Sequence, residues 1–196
     1  IDLINASGSG SKKLVELILK NNPNFNITDD RGNTPLLMAS GSGSEEVVEL
    51  LLNKGANINT TNNDGDTPLL MASTNGSKEI VELLIQHGSN VNATNNDGNT
   101  SLLLASASSS KEIVELLIQH GSNVNATNND GDTPLLKTDL KEVVKLLLQH
   151  GADINAVNDY GLTVLLRDFG DNSKEIVELL IENGVNINYS FFHGLT

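Results

Sequence analysis

The chain has 196 residues, a net charge of -13 and an apolar fraction of 38%, which suits one ordinary domain or one array of small units and argues against a chain disordered by composition. Its charge repels nucleic acid and anionic lipid, and no apolar run nears the roughly 20 residues of a membrane span. There is no cysteine, hence no thiol nucleophile, no thiolate metal site and no need for an oxidising compartment.

From its first residues the chain repeats itself. ASGSGS at 6–11 returns at 39–44, and SKEIVELLIQHGSNVNATNNDG at 77–98 returns unchanged at 110–131. Gly32, Gly65, Gly98 and Gly131 are spaced by 33 residues; Gly161 follows after 30 and Gly194 after another 33. A fixed period of this size marks an array of stacked units. Six units result, over 1–33, 34–66, 67–99, 100–132, 133–162 and 163–195, with Thr196 opening another, read together as a single domain over 1–196.

Each unit reads as helix, turn, helix, then an extended finger. Thr34-Pro35 and Thr67-Pro68 predict helix starts, because threonine accepts orphan amides and proline has no N–H to leave unpaired. That helix is short, from Leu36 to about Ser40, and Gly and Ser break it. Ser44 or Ser77 is expected to cap a second helix with Glu early in it, where the helix dipole favours a carboxylate. Ile80, Val81, Leu83, Leu84 and Ile85 make this helix apolar on more than one side. Gly88 ends it in a left-handed conformation. Asn90-Val91-Asn92 is read as extended, and Asn96-Asp97-Gly98 as a tight hairpin-like turn of residues that tolerate positive φ. One unit cannot bury its apolar faces alone, but copies stacked on one another can.

DDRGNTPLLMAS at 29–40 followed by EEVVELLLNKGANIN at 45–59 resembles an ankyrin repeat. The period, the Gly-x-Thr-Pro-Leu run and the Gly-Ala-Asn-Ile-Asn segment carry the resemblance, which extends over the whole chain. It implies an all-α ankyrin-repeat solenoid of helix-turn-helix units with hairpin-like finger loops. Two departures stand out. The family's histidine after Thr-Pro-Leu is Leu37, Leu70, Leu103, Leu136 and Leu166, and its second alanine is Ser40, Ser73 and Ser106. Both exchange a polar network for plain packing.

The resemblance implies a non-catalytic scaffold that binds a partner protein through finger tips and first helices. The matching finger positions are Asp30, Arg31, Asn33, Asn63, Asp64, Asp66, Asp97, Asn99, Asp130 and Asp132. They are polar and acidic, and suit steering of a basic partner. A passive spacer or tether within a larger protein is the alternative. The resemblance also implies a substrate role for an asparaginyl hydroxylase at Asn59, Asn92, Asn125, Asn155 and Asn188.

Other motifs have plainer accounts. The NNDGD stretch looks like a calcium loop, but its ligand positions would be Thr60, Asn62 and Asp64, with Met71 in the terminal Glu place. His87, His120 and His150 recur before glycine at helix ends, each in a different unit and without a second ligand beside it. No convergent catalytic set, cofactor site or metal site emerges, so no enzyme activity is expected. Sequons such as Asn75-Gly76-Ser77 arise by chance in a chain with 27 asparagines, and the N-terminus shows no basic-then-apolar signal. A cytoplasmic protein is expected, or one of the host cytosol if it is a secreted effector, with no nucleic-acid or membrane partner.

The C-terminal third breaks the pattern. Unit five loses three residues in TPLLKTDLKEVV, so its first helix must be shortened or distorted. In unit six Val164 replaces proline and Asp168 a small residue. Tyr160, Phe169, Tyr189, Phe191 and Phe192 gather here with Arg167, one of two arginines. A local binding centre built from Tyr160, Leu162, Arg167 and Phe169 is one reading; drift near the end of an array, with Phe169 filling space, is the other. The apolar helix at 173–184 and Phe191-Phe192-His193 beyond it predict further repeats or self-association at this end, and the missing initiator methionine predicts a fragment.

Overall fold

In a computed structural model of the chain, residues 2–21, 24–167, 169–170 and 173–188 are described. The chain falls into two compact units, 1–101 and 102–196. The first holds α1 (Leu3–Gly8), α2 (Lys12–Asn21), α3 (Pro35–Gly41), α4 (Glu45–Asn53), α5 (Pro68–Asn75) and α6 (Lys78–Gln86). The second holds α7 (Ser101–Ala107, less its first residue), α8 (Lys111–Gln119), α9 (Pro134–Lys137), α10 (Lys141–Gln149), a 3-10 turn at Val164–Leu166, and α11 (Ser173–Glu182). Among the described residues there is no strand, only an isolated bridge between Thr94 and Thr100.

The Thr-Pro signal works as expected. Thr34, Thr67 and Thr133 are extended N-caps whose hydroxyls accept from Leu37, Leu70 and Leu136 N–H at 3.3, 3.2 and 3.3 Å. Each such cap contributes about 1 kcal/mol. Thr163 makes no such bond, proline is absent, and only the 3-10 turn forms. The serine caps differ from expectation. Ser44, Ser77 and Ser110 stand at the N-cap positions, but their hydroxyls bond to no helix amide. Ser44 pairs with Ser42 at 2.8 Å, and Ser77 accepts from Asn75 Nδ2 at 2.6 Å. Side chains at the end of the preceding helix, Ser42 and Asn75, have captured the hydroxyls first.

Within each unit like packs on like. In 1–101, α3 lies between α1 and α5, and α4 between α2 and α6. In 102–196, α10 packs against α8, α9 and α11. The interior is a column of repeated residues: Leu36, Leu37 and Ala39, then Leu69, Leu70 and Ala72, from first helices; Val47, Val48 and Leu51, then Ile80, Val81 and Leu84, from second helices. Each fully buried leucine or isoleucine contributes roughly 1.5–3 kcal/mol. Leu83 and Ile85 are half-buried, so the second helix is covered at its margins as well as on its main stripe. The exchange of alanine for serine is not neutral packing. Ser40, Ser73 and Ser106 are fully buried, and their hydroxyls find no partner among the described residues.

Asn90-Val91-Asn92 is a turn rather than an extended segment. Ala93 N–H donates to Asn90 O at 3.2 Å, and Asn90 Oδ1 accepts from Asn92 N–H at 3.1 Å. A short amide side chain capturing the backbone two residues on outcompetes the extended form. In the finger turn, Gly98 N–H donates to Asn95 O at 2.9 Å, and positive φ falls on Gly98 (75°) alone. The turn is therefore an ordinary one closed by a left-handed glycine, and Asn96 and Asp97 need no unusual conformation.

The three-residue loss has the expected effect. Where α3 and α5 run for 7 and 8 residues, α9 has 4 and leaves into an extended Thr138.

Candidate binding surface

The fingers are tied together by asparagine. Asn62 Oδ1 accepts from Asp64 and Asp66 N–H at 3.0 and 2.9 Å, while its Nδ2 donates to Asn33 Oδ1 of the preceding finger at 3.1 Å. Asn95 repeats this with Asp97, Asn99 and Asp66, and Asn158 with Tyr160, Leu162 and Asp132. Backbone joins backbone as well: Asn63 N–H to Arg31 O, Asn96 N–H to Asp64 O, and Asp159 N–H to Asp130 O, at 2.9–3.0 Å. One amide thus shapes its own turn and locks it to the last one.

This arrangement sorts the predicted site residues into two groups. Asp30, Arg31, Asp64, Asp97 and Asp130 are exposed at the tips. Asn33, Asp66, Asn99 and Asp132 are half-buried. Of these, Asn33, Asp66 and Asp132 accept from the next finger, so they serve the ladder. Hydrogen bonds from Asn33 hold the Asp29 carboxyl below the usual carboxylate range.

The irregular C-terminal residues come together around a cavity of about 400 Å³ lined by Asp132, Leu136, Lys137, Asn158, Tyr160, Leu162 and Arg167. Tyr160 is 64% exposed, and its hydroxyl donates to Asp130 Oδ1 at 2.9 Å, which raises the phenol's pKa above its ordinary value. Leu162 and Leu166 are exposed beside it at 39% and 50%. Lys137 pairs with Asp132 at 3.0 Å. Arg167 is half-buried, and its guanidinium donates to the carbonyl oxygens of Leu136 and, at 3.1 Å, Thr138. It therefore caps the truncated α9, and burial pushes its pKa down. Its Cζ lies 5.8 Å from the ring centroid of Phe169, within cation–π range.

Of the four residues expected to form a binding centre, Tyr160 and Leu162 present surface, Arg167 braces the cavity from inside, and Phe169 is buried at 4% exposure. Phe169 fills space and does not reach the surface. Asp168, Tyr189, Phe191, Phe192, His193 and Thr196 lie outside the described residues. Leu166, expected to serve plain packing like Leu37 and Leu70, is instead half exposed because only a 3-10 turn forms there, and Lys137 was missed. The signal was in the register: the residue four after each unit's threonine is Met38, Met71, Leu104, Lys137 and Arg167, apolar in three units and cationic in two.

The remaining candidates have structural partners. His87, His120 and His150 are exposed, and each ring Nδ1 bonds a carbonyl oxygen of its own helix end (Leu83, Leu116, Leu146) at 2.8–2.9 Å. No cluster of three metal-ligating side chains occurs among the described residues. Asn59, Asn125 and Asn155 are exposed, and their Oδ1 atoms accept from Asn90, Asp153 and Asn186 N–H of the following repeat. Asn92 and Asn188 are exposed too. No described helix is long and apolar enough to cross a membrane.

The family model of ankyrin repeats in three copies matches residues 3–95, 55–128, 88–158 and 125–191. No curated protein matches the chain.

Proposed function

Because the chain belongs to the ankyrin-repeat family, whose repeats are generally protein–protein interaction modules, we propose that it is a non-catalytic recognition scaffold, held in the cytoplasm, that binds a partner protein through finger tips and first helices. One observation carries this reading. Within each unit the ladder asparagines tie neighbouring fingers together, while Asp30, Arg31, Asp64, Asp97 and Asp130 remain exposed at the tips. Rigid presentation of charge with little ordering left to do favours association with a basic surface. Tyr160, Leu162 and the Arg167 that supports them add an apolar centre of the kind that dominates binding energy.

Affinity capture from cell lysate tests the reading. Intact protein is compared with a Tyr160→Asp, Leu162→Asn variant, which restores the residues of an interior finger. A partner retained by intact protein and depleted by the variant supports the scaffold. If nothing is specifically retained by either, the tether reading replaces it. Self-association is the second reading, favoured by Ile181 and Ile187, which are 55% and 69% exposed. Sedimentation that gives one mass across a wide concentration range removes it.

A further inference from the structure

We infer that the cavity between the fourth and fifth fingers receives one large apolar side chain of a partner segment, with a lysine or arginine next to it held by fingertip carboxylates. The inference rests on the recognition reading and names its chemistry.

The walls set the first half. Leu136, Leu162 and the Tyr160 ring face a space of about 400 Å³. In the four preceding fingers the places of Tyr160 and Leu162 hold Arg31, Asp64, Asp97 or Asp130, and Asn33, Asp66, Asn99 or Asp132, and in the one after it His193 and Leu195. The apolar pair is thus local to this finger. An exposed tyrosine and leucine beside a concavity gain by covering an apolar group, and little by facing water.

Charge sets the second half. Both cations that line the cavity are already engaged, Lys137 by Asp132 and Arg167 by the carbonyl oxygens of Leu136 and Thr138. An anionic ligand meets no uncommitted positive group there. The rim is acidic where Tyr160 stands: Asp130 receives its hydroxyl, and Asp130 and the exposed Asp159 both act on that phenol electrostatically. A cation placed at this rim gains from both carboxylates, with an attraction that salt screens.

The test selects a random-peptide display library on the full chain and measures synthetic versions of the enriched peptides. Enriched peptides are expected to share a large apolar residue with Lys or Arg within a position or two. Binding should fall by about tenfold or more in Tyr160→Asp, Leu162→Asn, on the scale of a lost anchor. In Asp130→Asn, Asp159→Asn it should weaken and lose much of its salt dependence. The first variant uses residues that other fingers already carry, and circular dichroism checks that both fold. Peptides lacking either the apolar or the basic residue overturn the proposal. Peptides that bind both variants normally but are lost on Asp64→Lys, Asp97→Lys overturn the cavity and leave finger recognition standing. A library that yields no binder overturns both.

Discussion

Asn158 holds Asp132 across two fingers: its Nδ2 donates to Asp132 Oδ1 at 2.7 Å while its Oδ1 accepts from Tyr160 and Leu162 N–H at 3.1 and 2.9 Å. A single amide does what neither a carboxylate nor an aliphatic residue can, since it both donates outward and accepts inward. The same geometry recurs at Asn62 and Asn95, which explains why this position is amide-rich in a chain so full of aspartate.

Replacement of Asn95 tests the ladder. Asn95→Ala leaves the Asp97 and Asn99 amides without their acceptor and Asp66 without its donor, and should destabilise the protein by about 2 kcal/mol. Asn95→Asp keeps the acceptor and sets a second carboxylate against Asp66, so it should also destabilise at neutral pH, and less so in acid. Urea unfolding at neutral and acidic pH separates the two. Equal stability of wild type and Asn95→Ala would remove the ladder from the account.

The buried serines offer the opposite sign. Ser73 Oγ has no partner among the described residues, and neither does Ser89 Oγ. Ser73→Ala and Ser89→Ala each remove an unsatisfied hydroxyl and should stabilise by about 1 kcal/mol. The chain itself carries alanine at the place of Ser89 in two other units, as Ala56 and Ala152. A lowered melting temperature in both variants would mean that the hydroxyls are satisfied in solution.

Two glycines separate conformation from contact. Gly65 has φ 78°, and a Cβ there would stand 2.9 Å from Asn96 N; Gly88 has φ 91° and nothing within 4 Å. Gly88→Ala should therefore cost about 1 kcal/mol, for backbone strain alone. Gly65→Ala adds a clash with the next finger's backbone and should cost clearly more. Chemical denaturation ranks them, and equal losses would deny the close approach.

Much of the fold was legible because its signals are backbone-level. Thr-Pro at 34–35 and 67–68, the glycine spacing and the buried Leu pairs each act in one local way, and the second and third units obey them all. What escaped were side-chain choices between competing partners. Asn62 and Asn95 looked like turn residues, and nothing in their identity reveals that Nδ2 reaches the previous finger. Ser44 and Ser77 have the chemistry of caps, yet a side chain two residues back claims each hydroxyl. For Phe169 and Arg167 the sequence left a surface anchor and a space-filler both open, and only burial distinguishes an anchor from a brace.

Tyr160 supplies a pH test. Its pKa is raised by the hydrogen bond to Asp130, so the bond's contribution is fully present below the unfolded tyrosine pKa and is lost as pH rises through the folded one. In a Tyr189→Phe background, absorbance titration should place the phenol above the ordinary tyrosine range. Asp130→Asn should bring it back toward that range. An unchanged titration would show that the pair does not persist in solution.

Arg167 decides whether the cavity has a structural floor. It caps α9 through Leu136 and Thr138 and stacks over Phe169. Loss of charge-assisted hydrogen bonds of this kind costs roughly 1.5–3 kcal/mol. Arg167→Ala should therefore lower stability by that order, and Arg167→Lys by less, because an ammonium still donates but cannot span two carbonyls in a plane. A pure contact residue would behave otherwise, with binding lost and stability intact. Measured by thermal unfolding beside peptide binding, a stability loss that tracks the binding loss across Ala and Lys identifies Arg167 as the brace on which Tyr160 and Leu162 depend.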